Sequence, residues 1–256
     1  MALSGKTALV TGSTSGIGLG IAEVLARNGA DLILNGFGDW QTAAEQLSRH
    51  GGRVGYHAAD LSAPAQIEDL FNYARREFGR VDILVNNAGI QHVAPVENFP
   101  TERWDSVLAL NLSAVFHCTR LALPEMRAHN WGRIVNIASV HGSVGSLGKA
   151  AYVAAKHGVL GLTKVVALET AQSGVTCNAL CPGWVLTPLV QQQIDARVAA
   201  GEPPDAARMA LLAEKQPSQA FVTPQQLGEL TLFLCSQAAE QVRGAAWNID
   251  GGWLAQ

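Results

Sequence analysis

Three side chains between positions 139 and 156 have the types and spacing needed for proton transfer. Ser139 follows the β-prone apolar run 133–138, and Tyr152 and Lys156 lie four positions apart in an Ala-rich segment. Residues four apart share one face of a helix, so the phenol and the amine should be neighbours. A phenol has a pKa near 10, and an adjacent ammonium is expected to lower it. The spacing therefore predicts a phenol that accepts a proton, with Ser139 bonded to the same substrate oxygen. The alternative is a half-buried aromatic beside a solvated lysine.

A glycine-rich turn near the N-terminus indicates a phosphate site. It follows the predicted strand 7–10, carries Gly12, Gly16 and Gly18, and leads into a predicted helix over 21–27. Glycines let the backbone approach a pyrophosphate, and a helix N-terminus offers free N–H groups. The spacing differs from the common G-x-G-x-x-G pattern, but its position between strand and helix predicts dinucleotide binding.

The end of the second predicted strand, 31–34, bears on the choice of cofactor. A basic residue there would pair with the 2′-phosphate of NADP, and an acidic one would hold the ribose of NAD. Neither stands at the tip, although Asp39 lies close by, and Lys and Arg are missing at Thr14 and Ser15 as well. The sequence therefore favours NAD.

Composition narrows the class of protein. Apolar residues make up 48% of the 256 and charged residues 15%, so many segments should be buried on both sides. The net charge of −3 gives no footprint for nucleic acid or an anionic membrane. We find no signal-peptide pattern and no run of 18 apolar residues, which predicts no membrane span. The four cysteines lack zinc-site or disulfide spacing, so we expect buried free thiols and no metal.

The order of elements predicts an α/β fold. Further strands are predicted at 54–57, 82–85, 133–138, 175–180 and 245–249, alternating with helices and without a linker. This pattern indicates one doubly wound domain over 1–256, with a parallel sheet and helices on both faces. The polar segment of about 188–216, broken at 201–204, is predicted to be a helical lid over the substrate. A long helix over 101–128 contains Asn111, whose buried amide should have partners.

The motifs together resemble the short-chain dehydrogenase/reductase family, and the match extends over essentially the whole chain. They are Gly12, Gly16, Gly18, Asn86, Asn87, Ala88, Gly89, Asn111, Ser139, Tyr152, Lys156, Pro182 and Gly183. The resemblance implies a Rossmann-type sheet in the order 3-2-1-4-5-6-7 and a catalytic tetrad of Asn111, Ser139, Tyr152 and Lys156. In that family the tyrosine is the acid/base, the lysine lowers its pKa and holds the nicotinamide ribose, the serine orients the substrate oxygen, and the asparagine supports a water. The resemblance also implies a homotetramer, and the expected free thiols favour a reducing cytoplasm.

The same resemblance assigns a set of residues to the cofactor. These are Gly12, Thr14, Ser15, Gly16, Ile17, Gly18, Phe37, Asp60, Leu61, Asn87, Ala88, Gly89, Tyr152, Lys156, Pro182, Gly183, Val185 and Thr187.

A narrower resemblance is to members of that family that interconvert (R)-3-hydroxybutyrate and acetoacetate. It rests on Gln91, His141, Lys149, Trp184 and Gln193, which with Ser139 and Tyr152 would form the substrate pocket. A small hydroxy acid needs donors for its carboxylate, and Lys149 supplies charge while the Gln and His side chains supply hydrogen bonds. Lys149 could instead be solvated, His141 could pack a loop, Trp184 could be a core or interface aromatic, and Gln191 or Gln192 could replace Gln193.

Two other functions stay open at this point. One is a related dehydrogenase that acts on a sugar acid or on a carrier-bound 3-oxoacyl group. The other is a catalytically silent protein that senses NAD and binds a partner protein.

Overall fold

The computed structural model describes residues 1–213 and 215–255. Seven parallel strands form one sheet in the order β3-β2-β1-β4-β5-β6-β7, which confirms the predicted topology. The strands are β1 Thr7–Val10, β2 Asp31–Asn35, β3 Val54–His57, β4 Ile83–Asn86, β5 Gly132–Ile137, β6 Val175–Pro182 and β7 Ala246–Ile249.

Helices cover both faces of this sheet, as predicted. They are α1 Gly16–Arg27, α2 Trp40–Ser48, α3 Pro64–Phe78, α4 Thr101–Leu108, α5 Ala114–Ala128, α6 Ala150–Glu169, α7 Pro188–Ala199, α8 Pro204–Leu212 and α9 Pro224–Cys235. Within β1, Val10 packs with α1, α2 and α9, while Leu9 packs with α3, α5 and α6. Successive strand residues point to opposite faces, so a strand covered on both faces is apolar throughout.

The long helix predicted over 101–128 is continuous but changes its winding in the middle. One π-helical turn, Ala109–Ser113, joins α4 to α5 and contains Asn111. The segments Thr101–Ala128 and Ala150–Glu169 are long and apolar enough, by length and composition alone, to cross a membrane. Both place side chains such as Cys118 and Val166 in the core beneath the sheet, which is how the covering helices of an α/β fold are packed.

Several boundaries differ from the sequence predictions. Helix α1 begins at Gly16, earlier than expected, and α2 was not predicted at all. The predicted break in the lid segment is present between α7 and α8. Position 214 within that segment and position 256 lie outside the described residues, and the assignments of a lid over 188–216 and of one domain over 1–256 stay predictions. All four cysteines are buried free thiols, as expected.

Candidate active site

The structure brings Ser139, Tyr152 and Lys156 together at the carboxyl end of β5. Ser139 follows the strand and begins the one-turn 3₁₀ helix Val140–Gly142, where its Oγ accepts the N–H of His141 at 3.2 Å. Tyr152 lies in the first turn of α6, and its phenol is close enough to Ser139 for that hydroxyl to influence its pKa. One turn later, the Nζ of Lys156 lies 5.5 Å from the centroid of the Tyr152 ring.

Burial shifts the pKa values of both Tyr152 and Lys156. It raises the pKa of Tyr152, and the Ser139 hydroxyl offsets only part of that effect. Burial also lowers the pKa of Lys156 to about 8, and its Nζ donates to the Ile137 carbonyl at 2.7 Å. A low-dielectric site disfavours every charged form, the phenolate included. The sequence expectation of a lowered phenol pKa is therefore wrong in this structure.

Asn111 pairs with the loop that follows β4. Its Oδ1 accepts the N–H of Ile90 at 2.9 Å, and its Nδ2 donates to the Ile90 carbonyl at 2.9 Å. The side chain is fully buried in the π-helical turn. Both polar ends of the amide are satisfied, and they fix the loop that lines one wall of the cleft.

A cavity of about 810 Å³ opens at the carboxyl edge of the sheet, in front of these residues. Its walls include most of the predicted cofactor and substrate residues. These are Gly12, Ser15, Gly16, Ile17, Asn87, Ala88, Gly89, Gln91, Ser139, Lys149, Tyr152, Lys156, Pro182, Gly183, Trp184, Val185, Thr187 and Gln193.

The glycine turn fits a pyrophosphate group. Ser15 begins α1 without a side-chain cap, and no acidic residue lies in the first turn, so the terminal N–H groups are free for an anion. Gly12 has φ +62, and a Cβ there would approach the Ala88 Cα to 3.0 Å. A Cβ at Gly18 would collide with the Gly12 carbonyl, so Gly18 serves packing of the turn. Asn87 Nδ2 braces the turn by donating to the Gly12 carbonyl at 2.9 Å.

Five predicted cofactor residues lie outside that cavity. Gly18 is one, and the other four lie at or near the carboxyl ends of β1, β2 and β3. Thr14 Oγ1 donates to the Phe37 carbonyl at 2.6 Å, and the Phe37 side chain is exposed. Asp60 accepts two hydrogen bonds from Ser62, and Leu61 is buried. This edge of the sheet suits the adenosine half of a dinucleotide.

The end of the cavity that is predicted to bind substrate has a lysine, two glutamines and a tryptophan in its wall. Burial lowers the pKa of the half-buried Lys149. On α7, Gln193 lines the cavity, while Gln191 is engaged with Asp195 at 2.8 Å. Trp184 packs against the apolar cluster of α7 and α8, and its buried Nε1 has no partner among the described residues.

His141 lies behind Ser139 and not in the wall of the main cavity. Its Nδ1 is 3.3 Å from the Ser139 Oγ, and its ring meets the rings of Tyr152 and Trp253 edge to face. Burial and the charge of Lys149 lower its pKa to about 4. His141 and Trp253 line an adjoining cavity of about 860 Å³. The sequence reasoning did not identify Trp253 as a site residue. Its position just after the carboxyl end of β7, at the edge where the site lies, could have indicated it.

The sequence reasoning also missed the apolar part of the cleft wall. It consists of Ile90, Val93, Ile137, Ala138, Leu189 and Val190. All of them flank motif residues along the chain, which is the only signal that could have identified them. Among the residues that the structure describes, no group of three His, Cys, Asp or Glu side chains could hold a metal ion.

The chain is similar in sequence and in fold to known proteins. The profile of the short chain dehydrogenase family matches residues 6–197. A D-beta-hydroxybutyrate dehydrogenase of Cupriavidus necator is 63% identical over 99% of this chain and 100% of its own. A second D-beta-hydroxybutyrate dehydrogenase, from Rhizobium meliloti, is 49% identical over 98% of this chain and 99% of its own.

The fold also resembles that of a solved structure. L-Sorbose reductase from Gluconobacter frateurii, complexed with NADPH and L-sorbose, superposes with a TM-score of 0.94 and 31% identity, covering 100% of both chains. A site built for a nicotinamide dinucleotide, the matching profile and these full-length relatives lead to one conclusion. The chain belongs to the short-chain dehydrogenase family of oxidoreductases.

Proposed function

We propose that the protein interconverts (R)-3-hydroxybutyrate and acetoacetate with NAD. One observation supports this most strongly: Lys149 lines the same cavity as Tyr152 and Lys156. An ammonium three residues before the acid/base can hold the carboxylate of a small hydroxy acid while its hydroxyl meets the phenol. The two hydroxybutyrate dehydrogenases that align over their full lengths give independent support.

In the proposed reaction the hydride goes to the cofactor and the side chains of the protein handle the proton. The glycine turn, Asn87 and Lys156 would hold NAD, which would supply the acceptor for the hydride from C3 of the hydroxy acid. Tyr152 Oη accepts the hydroxyl proton, so loss of H⁻ and H⁺ leaves the ketone. Ser139 donates a hydrogen bond to the substrate oxygen, and the ammonium of Lys156 stabilises the phenolate. Because burial raises the pKa of Tyr152, this support from Ser139 and Lys156 is needed for oxidation near neutral pH.

The remaining pocket residues would recognise the rest of the substrate. Gln91 and Gln193 offer amide donors to the carboxylate, and Trp184 supplies an apolar surface. His141 is neutral near pH 7, because its pKa is about 4. Since it lies behind Ser139 and outside the wall of the main cavity, it would support the Ser139 hydroxyl without adding a charge.

NAD is the better match for the adenosine end of the site. Positions 11–18 and 35–42 contain no Lys or Arg, and Asp39 adds a negative charge there. A 2′-phosphate is usually paired with a basic residue at this place. The sorbose reductase structure holds NADPH, so the fold alone does not exclude NADP.

An assay of NAD reduction with both enantiomers of 3-hydroxybutyrate tests the proposal. We expect turnover with the R form and little with the S form, and a lower KM for NAD than for NADP. Activity on the S form alone, or on neither, would refute the substrate. Sugar acids and a carrier-bound 3-oxoacyl substrate in the same assay separate the related dehydrogenases, and absence of turnover with every substrate would favour a silent NAD sensor.

We also propose that the protein forms a homotetramer through α5 and α6. Phe116, Val165 and Leu168 are 47%, 51% and 77% exposed on these helices. An apolar groove of about 470 Å³ runs between them. Exposed apolar surface of this kind marks a contact between subunits, and sedimentation velocity measures the assembly. A cytoplasmic location stays a prediction.

A further inference from the structure

The turn between β2 and α2, residues 36–39, lies where the adenosine ribose of a dinucleotide would be recognised. Its acidic residue is already engaged in capping a helix. Asp39 Oδ1 accepts the N–H of Thr42 at 3.0 Å, and its Oδ2 accepts the Thr42 hydroxyl at 2.7 Å. The cap uses one acceptor site on each oxygen and fixes the position of the carboxylate, so the shape of the turn determines how Asp39 and the backbone meet the ribose.

Two hydroxyl groups hold that backbone in place. The hydroxyl of Tyr56 on β3 donates to the Gly36 carbonyl at 2.8 Å, and Thr14 donates to the Phe37 carbonyl at 2.6 Å. Gly36 has φ +146, and a Cβ there would meet the Thr14 Oγ1 at 3.0 Å. The turn is thus packed against the phosphate-binding glycine turn on one side and tied to β3 on the other.

Tyr56 is itself held in position by α2. Its ring stacks on that of Trp40, the first residue of α2, with centroids 4.6 Å apart and planes within 2°. Stacked aromatic pairs at this distance restrain each other. Trp40, four residues after Gly36, therefore packs against Tyr56, the side chain that donates to the Gly36 carbonyl. This makes a closed loop of contacts around the turn.

We propose that Tyr56 and Trp40 are positioning residues that fix turn 36–39 in the shape that binds the ribose of NAD. The inference rests on the proposed use of NAD. A turn that is ordered before binding spends less of the binding free energy on ordering. The fixed turn also presents Asp39 and no cation to a 2′-phosphate, so the same contacts keep NADP out.

Titration of the purified protein with NAD and with NADP, followed by steady-state kinetics, tests this role. Tyr56→Phe keeps the stack and loses the hydrogen bond, and Trp40→Ala loses the stack. We expect either change to raise the dissociation constant of NAD by about threefold to tenfold, the usual effect of one hydrogen bond or stack. The KM for the hydroxy acid and the kcat at saturating NAD should stay within about twofold, and Trp40→Phe should restore binding.

Tyr73→Phe is the matched control, because the Tyr73 ring packs with His57 and Phe78 and not with the turn. Unchanged NAD affinity in Tyr56→Phe would overturn the positioning role while leaving NAD use intact. A fall in kcat together with a rise in the KM for the hydroxy acid would do the same. A wild-type protein that prefers NADP would overturn both proposals, so the two failures are distinguishable.

Discussion

Lys156 keeps an ammonium inside the protein at a cost in stability that varies with pH. It is 4% exposed, and burial lowers its pKa from 10.5 to about 8. Between pH 8 and 10.5 the unfolded chain retains a proton that the folded protein has lost. Stability from this group therefore rises with pH across that window, and the cost is fully present below pH 8.

The two pKa values give the size of the effect. A separation of 10.5 from about 8 corresponds to roughly 3 kcal/mol of destabilisation at low pH. Integrating the titration from about pH 7 to about pH 9.5 removes roughly 2 kcal/mol of it. Lys156→Met keeps the chain length and lacks the charge, so its free energy of unfolding lacks this dependence. The effects of Cys118, Cys177 and Cys235, whose pKa values do not depend on Lys156, cancel in the difference.

Urea unfolding followed by circular dichroism at the two pH values measures this difference. We expect the stability of Lys156→Met relative to wild type to fall by roughly 2 kcal/mol as the pH rises from about 7 to about 9.5. Lys164→Met, an exposed site on the same helix, should show a constant difference. A constant difference for Lys156→Met as well would refute the buried cation.

Three further changes test the pocket. Lys149→Met should raise the KM for the hydroxy acid by about 10- to 100-fold, the effect of losing a charged hydrogen bond, while titration shows unchanged NAD affinity; equal losses would contradict carboxylate binding. His141 has a pKa of about 4, so kcat/KM measured between about pH 5.5 and 7.5 should show no imidazole ionisation, and a His141→Gln variant whose profile differs in shape over that range would count against this. Asn111→Ala leaves the N–H and carbonyl of Ile90 without their partner and should lower the free energy of unfolding by about 1–3 kcal/mol, a loss that urea titration would detect or disprove.

The sheet was predictable because strands covered on both faces are continuous apolar runs. Leu9 and Val10 face opposite layers, and both are fully buried, so β1 reads as apolar without alternation. Helix α2 was missed for the converse reason. Only Ala43 and Leu47 are buried in it, and its start depends on Asp39, which the sequence reasoning considered only as a group near the ribose.

The sequence predicted the geometry of the candidate site better than its electrostatics. Helical spacing made neighbours of Tyr152 and Lys156, but it carries no information about how deeply the phenol is buried, and burial decides the direction of its pKa. The position of His141 behind Ser139 depends on Trp253, which is far along the chain. The π-helical turn at Ala109–Ser113 interrupts a segment whose sequence is typical of one regular helix.

The proton acceptor is the centre of this account, and Tyr152→Phe tests it most directly. The variant keeps the ring beside Lys156 and removes the hydroxyl that we propose takes the substrate proton. We predict that NADH formation from (R)-3-hydroxybutyrate in a single turnover at saturating NAD falls by at least about 100-fold. A variant that reduces NAD at the wild-type rate would contradict it.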